Sequence, residues 1–291
     1  MTDTSQRHSS FLEELLLSLP GNRQAHCPSS TEYRRLKETA RREIEVLFKN
    51  NQGAVVFGPF GKIEFPYHPM GVFDSLNLFD LDELIIFSFY WANRHRYRRA
   101  LDVGANIGLH ALLLERCGYA VKAYEPDPAH FQILQRNSFL NQCDRVEIFR
   151  KAVSDGNETR EFVRVLGNTT GSHLAGAKKD PYGRLERFPV EVLSVKELVA
   201  WPDLIKLDAE GEERRILLAL NQEDFRNTDM LLEVENAQNA DTIFRHASDL
   251  GLKLFAQKIG WEKVEKLPDV PTGWREGTVF ITAKNEMPWG T

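Results

Sequence analysis

From Arg99 onward, short apolar runs alternate with segments of helical length, and few folds satisfy such a succession. Residues 100–103 form a short, mostly apolar strand, followed by a glycine-bearing turn and an apolar helix over 109–117 that Gly118 closes. The unit repeats as a strand at 120–124 and a helix at 128–140, where Pro128 suits a first helical turn. Further strands are expected at 146–151, 204–208, 230–234, 253–257 and 278–283, and further helices at 212–220 and 239–250. Repeated strand–helix units demand a mainly parallel sheet with helices on both faces, and they put ligand loops at the carboxyl ends of the strands. Residues 168–187 contain Gly171, Gly176, Pro181 and Gly183 and few apolar side chains, so they read as a long insertion or lid over that edge.

The first 98 residues follow another plan. Leu12, Leu15, Leu16 and Leu19 recur at helical spacing before Pro20-Gly21. Tyr33, Leu36, Ala40, Ile44 and Leu47 mark one face of a second helix, with Ser29 and Glu32 as its capping box. Runs at 54–57 and 62–65 flank Gly58-Pro59-Phe60-Gly61 as a hairpin, and a bulky apolar helix is expected over 80–97. The expected division is an N-terminal helical and hairpin extension, 1–98, packing on an α/β domain, 99–291.

Composition excludes several classes of function. With 42% hydrophobic and 27% charged residues the chain is globular, neither disordered nor collagen-like. Its net charge of −5 gives no global positive field toward nucleic acid or anionic membrane. No apolar run approaches the ~20 residues of a membrane span, and the opening MTDTSQRHSS lacks the basic start of a secretory signal. Cys27, Cys117 and Cys143 are scattered and form no C-x-x-C, which argues against a disulfide scaffold or structural zinc and suits the cytoplasm.

The strongest local signal is Asp102-Val103-Gly104-Ala105-Asn106-Ile107-Gly108 between the first strand and its helix. Gly104 and Gly108 permit a tight turn and let a ligand approach the backbone. The dinucleotide fingerprint is G-x-G-x-x-G, where amides face a pyrophosphate. Here the spacing is D-x-G-x-N-x-G, and a carboxylate at the turn repels phosphate but suits a ligand carrying an ammonium group and a sulfonium. Glu125 ends the next strand, where a carboxylate can accept both hydroxyls of a ribose. The plainer alternative makes Asp102 a turn cap and Glu125 a solvated strand end.

Together with Glu125-Pro126-Asp127, Asn137, Asn141, Ala152-Val153-Ser154 and Ile205-Lys206-Leu207-Asp208-Ala209-Glu210-Gly211, this set resembles the FkbM family of S-adenosylmethionine-dependent methyltransferases over roughly residues 99–284. The resemblance implies a class I methyltransferase fold: an α/β, Rossmann-like, seven-stranded, mostly parallel sheet with helices on both faces and an antiparallel last strand. It implies methyl transfer to a hydroxyl of a sugar, glycan or natural-product small molecule, leaving S-adenosylhomocysteine. Asp102, Gly104, Asn106 and Gly108 would then line the methionine part of the cofactor. Glu125 and its neighbour Pro126 would hold the ribose, and Ala152 and Val153 would lie near the adenine. The extension would border the acceptor site.

Lys206, Asp208 and Glu210 alternate at a strand end, which points them to one side. Asp208 is a candidate to orient the methyl donor or the acceptor hydroxyl. Lys206 is a candidate to lower the pKa of the acceptor hydroxyl, or to act as base should burial depress its own pKa, or else an ion-pair partner of Asp208 or Glu210. His173, on the glycine-containing polar segment, is a second candidate base or a solvated loop histidine. Ser172, Glu210 and Glu235 are candidates to bind the acceptor. A divalent metal on Asp208, Glu210 and Glu235 is conceivable, though carboxylates lining a polar pocket are commoner. Lys178, Lys179, Arg184 and Arg187 either recognise an acidic acceptor or form a solvated loop, and the aromatics from Phe57 to Phe79 either wall the acceptor site or pack a core. The rival functions are an RNA ribose 2′-O-methyltransferase, which the net charge opposes, and a non-catalytic adenosine- or dinucleotide-binding module.

Overall fold

The computed structural model describes residues 7–49, 53–178, 181 and 183–289. Helix α1 (Ser10–Ser18) is capped by the Ser9 hydroxyl and turns Leu12, Leu15 and Leu16 inward. Helix α2 (Thr31–Phe48) starts one residue later than the capping-box reading placed it. The Tyr33 N–H donates to the Ser30 hydroxyl at 2.9 Å, so Ser29 is not the cap, and Glu32 pairs instead with Arg35. The hairpin forms as β1 (Val55–Val56) and β2 (Lys62–Ile63), antiparallel around the glycine–proline turn. Helix α3 (Leu81–Ala92) stops five residues short of the expected end at Tyr97, where the Asn93 side chain takes the Phe89 and Pro288 carbonyls.

The α/β part runs β3 (Arg99–Val103), α4 (Leu109–Arg116), β4 (Ala120–Tyr124), α5 (Pro128–Leu140), β5 (Val146–Phe149), β6 (Ala152–Ser154), β7 (Glu158–Val165), β8 (His173–Leu174), β9 (Leu185–Ser194) and α6 (Val195–Leu198). It continues with β10 (Leu204–Leu207), α7 (Glu213–Ala219), β11 (Asp229–Glu233), α8 (Ala237–Asp249), β12 (Lys253–Ala256), β13 (Glu262–Lys263) and β14 (Thr278–Thr282). The main sheet has the order β13-β12-β14-β11-β10-β3-β4-β5. Strands β11, β10, β3, β4 and β5 are parallel, and β14 is antiparallel to both its neighbours. The sheet therefore has eight strands rather than seven. Gly260, at φ +69°, turns the chain after β12, and two residues of β13 pair back on that strand's free edge.

Side-chain alternation along these strands splits the interior into two cores. Ala100, Val121, Ala123, Leu204, Leu231, Phe255 and Phe280 join the residues of α1 to α4 in one core. Leu101, Val103, Ile205, Leu207, Met230, Leu232 and Ile281 pack with α7 and α8 in the other. Asp102, Lys206 and Glu233 have the parity of the first set, so they project toward the N-terminal helices.

The region read as a lid is not a free loop. Residues 173–174 and 185–194 are strands of a second sheet, ordered β6-β9-β7-β8. Its apolar residues Phe162, Leu174, Val190 and Val192 make a small core of their own. The upstream aromatics also went mainly to packing: Phe57, Phe60, Phe65 and Phe79 are buried, with Phe79 stacked on Phe48 at 4.5 Å. No helix among the described residues is long and apolar enough to cross a membrane.

Candidate active site

The turn after β3 closes because the N–H groups of Gly104 and Ala105 both donate to the Tyr124 carbonyl, at 3.1 and 3.0 Å. Gly104 has φ +78°, and a Cβ there would stand 1.7 Å from the Asp208 carbonyl oxygen, so only glycine fits. Asn106 is also left-handed, at φ +52°. Its N–H donates to Glu125 Oε2 at 2.8 Å, and the Asp127 N–H donates to Oε1 at 2.8 Å. Glu125 thus ties the end of β4 to the glycine turn. Burial pushes its pKa up to about 8 against the help of those amides. The Asn106 side-chain oxygen is buried with no partner.

One cavity of about 640 Å³ opens at this end of the sheet. Of the residues singled out in the sequence, Gly104, Asn106, Glu125, Pro126, Ala152 and Val153 line one part of it. Ser172, Asp208, Glu210 and Glu235 line another. Asp102, Gly108, Lys206 and His173 lie behind the lining. Gly108, at φ +91°, is the residue from which α4 departs.

Lys206 is buried between two carboxylates, 3.6 Å from Asp102 and 3.3 Å from Asp208, and it also donates to the Gly104 carbonyl at 3.1 Å. Burial opposes its charge, but Asp208 and Asp102 outweigh burial and raise its pKa. Lys206 is therefore an ammonium ion rather than a base, which corrects that part of the sequence reading. Asp208 is also opposed by burial, yet Lys206 and a hydrogen bond from Glu233 hold its pKa low. Glu233, raised chiefly by burial and then by Asp208 and Glu210, stays protonated and supplies that hydrogen.

Glu210 lines the same cavity as Asp208 and feels its charge, though not through strand alternation. The strand ends at Leu207, and Glu210 sits at φ +50°, where alternation no longer applies. Its partner is Lys178, which also lies 3.3 Å from Glu235. The ammonium group occupies the place between the two carboxylates that the metal reading required. Among the described residues no three His, Cys, Asp or Glu side chains converge as a ligand set. Of the other cations of that segment, Arg187 pairs with Glu161, and Lys179 lies outside the described residues.

His173 is 2% exposed and sits on β8, where the next residue, Leu174, faces the cavity. Alternation sends the imidazole the other way, and its Nδ1 meets the Gly171 carbonyl at 3.0 Å. Burial lowers its pKa. It is not placed to take a proton in the cavity.

Several lining groups escaped sequence reading. Glu213 accepts the Ala209 and Gly211 amides at 2.6 and 2.9 Å and shapes the loop after β10, and burial pushes its pKa up to about 8. His130, held near 4 by burial, contacts the Thr169 hydroxyl at 2.9 Å. Asp127, read in the sequence only as the end of the Glu125-Pro126-Asp127 motif, caps α5 and is gripped by Arg164 at 2.7 and 2.5 Å. Glu83 arrives from α3, far upstream of the strand–helix repeats. The one available signal for these was their polarity at element ends.

An FkbM methyltransferase of Methylobacillus flagellatus KT is 14% identical, matching 71% of this chain and 52% of that one at a TM-score of 0.42. Cofactor-bound Rv0187 from MTB is 15% identical over 69% of this chain and 80% of that one, at 0.37. An O-methyltransferase from Bacillus cereus in complex with SAH is 11% identical over 67% and 78%, also at 0.37. The chain thus spans about half the length of the first of these, and no curated protein matches it. The Methyltransferase FkbM domain matches residues 102–256, more than half of the 291, and its span contains the glycine turn, Glu125 and the Asp208 loop. The chain belongs to the FkbM methyltransferase family.

Proposed function

We propose that the protein is an S-adenosylmethionine-dependent O-methyltransferase acting on a hydroxyl of a sugar, glycan or natural-product small molecule. The observation that carries the reading is Glu125 joined to the Asn106 amide of the D-x-G-x-N-x-G turn in one cavity with Asp208. The buried, partnerless Asn106 oxygen fits a ligand pressed against that turn. Glu125 accepts the ribose hydroxyls, Pro126 closes that side, and Ala152 and Val153 flank the adenine. Gly104 and Asn106 meet the methionine part, with Gly108 opening the turn and the buried Asp102–Lys206 pair behind it setting the local charge. When bound, the cofactor supplies a methyl group on a sulfonium, ready for displacement.

The chain's own residues do the rest. Asp208, kept ionised by Lys206, orients the acceptor hydroxyl, and positioning of this kind contributes several kcal/mol to such a reaction. Ser172 and the Glu210–Lys178–Glu235 bridge hold the acceptor's polar groups. A cytoplasmic setting belongs to the same reading, supported by three unpaired cysteines. The RNA reading is disfavoured by a cavity lined by Glu83, Glu125, Asp208, Glu210, Glu213, Glu233 and Glu235.

The test is mass spectrometry of hexoses, nucleotide sugars, oligosaccharides and polyketide alcohols incubated with labelled methyl donor, beside amine, RNA and NAD controls. Label on a hydroxyl oxygen is expected. Label confined to nitrogen or RNA, or saturable NAD binding without methyl-donor binding, overturns the reading.

A further inference from the structure

Transfer of a methyl group to a hydroxyl requires a base, and the groups first suited to that task are each otherwise engaged. Lys206 is charged, Asp208 is held as the partner of Lys206 and Glu233, and His173 faces away from the cavity. Glu210 and Glu235 are bridged by Lys178.

Glu83 differs from all of them. It stands in the first turn of α3, lines the cavity, and has a side chain 33% exposed. Its Oε2 is 3.0 Å from His110 Nε2 on α4. His110 Nδ1 in turn is 3.0 Å from the hydroxyl of Tyr90, also on α3. Directions in this chain are fixed by chemistry. The fully buried Tyr90 keeps its proton and donates it to Nδ1. Nε2 then carries the imidazole hydrogen and donates to Glu83; the reverse tautomer would aim a lone pair at a carboxylate.

Lys206 and Glu233 face the same corner from β10 and β11, because strand parity turns both toward the N-terminal helices, and Asp208, one residue past β10, meets both of them there. Glu83 lies outside residues 102–256, the span of the family match, so it is a contribution of this chain's N-terminal part.

We propose that Glu83 is the base that removes the proton of the acceptor hydroxyl, with His110 as its positioning residue and Tyr90 fixing the imidazole tautomer. The assignment rests on the O-methylation reading. As the acceptor oxygen bonds to the methyl carbon, the carbon–sulfur bond breaks with its electron pair going to sulfur, and the hydroxyl proton passes to Oε1 of Glu83. Oε2 remains held by His110, and the carboxyl afterwards loses its proton to water at the cavity mouth. Placing the base on α3 makes the N-terminal part a component of the reaction centre.

Two measurements test this. The first uses whichever hydroxyl compound of the panel above the wild type methylates. Glu83→Gln is expected to lower kcat by ~10²–10⁴, with acceptor KM and S-adenosylhomocysteine affinity by calorimetry within about twofold. His110→Ala is expected to lower kcat less, and His110→Gln, which keeps an N–H donor, to recover part of the loss. Full activity of Glu83→Gln beside an active wild type overturns the base assignment alone. Methyl transfer by the wild type to no hydroxyl overturns the O-methylation reading and the base with it.

The second needs neither methyl donor nor acceptor. Nitrogen-15 spectra of histidine-labelled protein should show His110 as the Nε2–H tautomer, with a hydrogen-bonded Nε2 proton that weakens in Glu83→Gln and an Nδ1 resonance that moves in Tyr90→Phe. An Nδ1–H tautomer in the wild type overturns the relay.

Discussion

Glu125 and Lys206 are both charged residues at a strand end, yet burial acts on them in opposite ways. Glu125 is buried with two amides and, among the described residues, no cation in contact, so folding raises its pKa from 4.5 to about 8. The folded protein then holds a proton that the unfolded chain has released, and stability falls as pH rises between about 4.5 and 8. Thermal melts of the ligand-free protein should show this decline, and Glu125→Gln should make it shallower. Equal slopes in the two proteins would refute the assignment. Glu213 and Glu210, raised to about 8 and about 7, slope the same way, so the decline is reduced and not abolished. Lys206 is the reverse case, because Asp102 and Asp208 overcome the burial of its charge. Lys206→Met leaves both carboxylates uncompensated and should cost roughly 3–5 kcal/mol, read as a lower denaturation midpoint at unchanged m-value; a loss of activity without loss of stability would contradict it. The residue types at this site were legible, since D-x-G-x-N-x-G and Glu125 follow from the sequence alone. Whether Lys206 would be a base or an ion was not legible, because that depends on Asp102 standing opposite it on β3, a register that periodicity does not supply.

Among the elements, the strands flanked by glycine turns were readable, since each is a short apolar run with a helix after it. The second sheet was not. Strand β9 does carry a period of two in Phe188, Val190 and Val192, but the glycines and Pro181 upstream of it gave the segment the look of a loop. Strand β7 mixes charged residues into both faces, which is what a strand on a small satellite core requires. This sheet is fastened to the main one through Arg164 on β7, which grips Asp127, while Asp127 also caps α5. Asp127→Ala therefore removes a cap and two charge-assisted hydrogen bonds of a guanidinium whose side chain is only 15% exposed, leaving Arg164 with Glu186 alone. The expected cost is about 3 kcal/mol, combining the usual values for a lost cap and for lost hydrogen bonds to a charged group. Proteolysis should then cut first within 168–187, where β8 and β9 meet the cavity edge. An unchanged midpoint and unchanged cleavage pattern would show that the two sheets are held together by something else.

At the scale of the molecule, the boundary after residue 98 separates two pieces of sequence that share one core. Phe89 of α3 packs edge-on against Phe280 of β14 at 5.6 Å and against Trp289 at 5.3 Å, and the Tyr119 hydroxyl donates to the Tyr90 carbonyl at 3.0 Å. The sequence announced two plans, helices first and strand–helix units afterwards, and that change of pattern is real. It led us to expect the first plan to pack on the second but could not say on which face, because both faces of a parallel sheet are apolar and neither names its partner. A chain beginning at residue 99 would uncover Leu112, Val121, Leu231, Phe255 and Phe280 together with their neighbours in the first core. At about 1.5–3 kcal/mol for each large apolar side chain, those five alone amount to roughly 8–15 kcal/mol, as much as the whole stability of a typical domain. We therefore predict that the 99–291 fragment is insoluble or binds a hydrophobic dye strongly, and that it has no cooperative thermal transition. Co-expression with a separate 1–98 chain should restore a folded complex, because the lost surface is supplied in trans. A soluble fragment that melts cooperatively and binds S-adenosylhomocysteine as the full chain does would show that the N-terminal part is dispensable for folding.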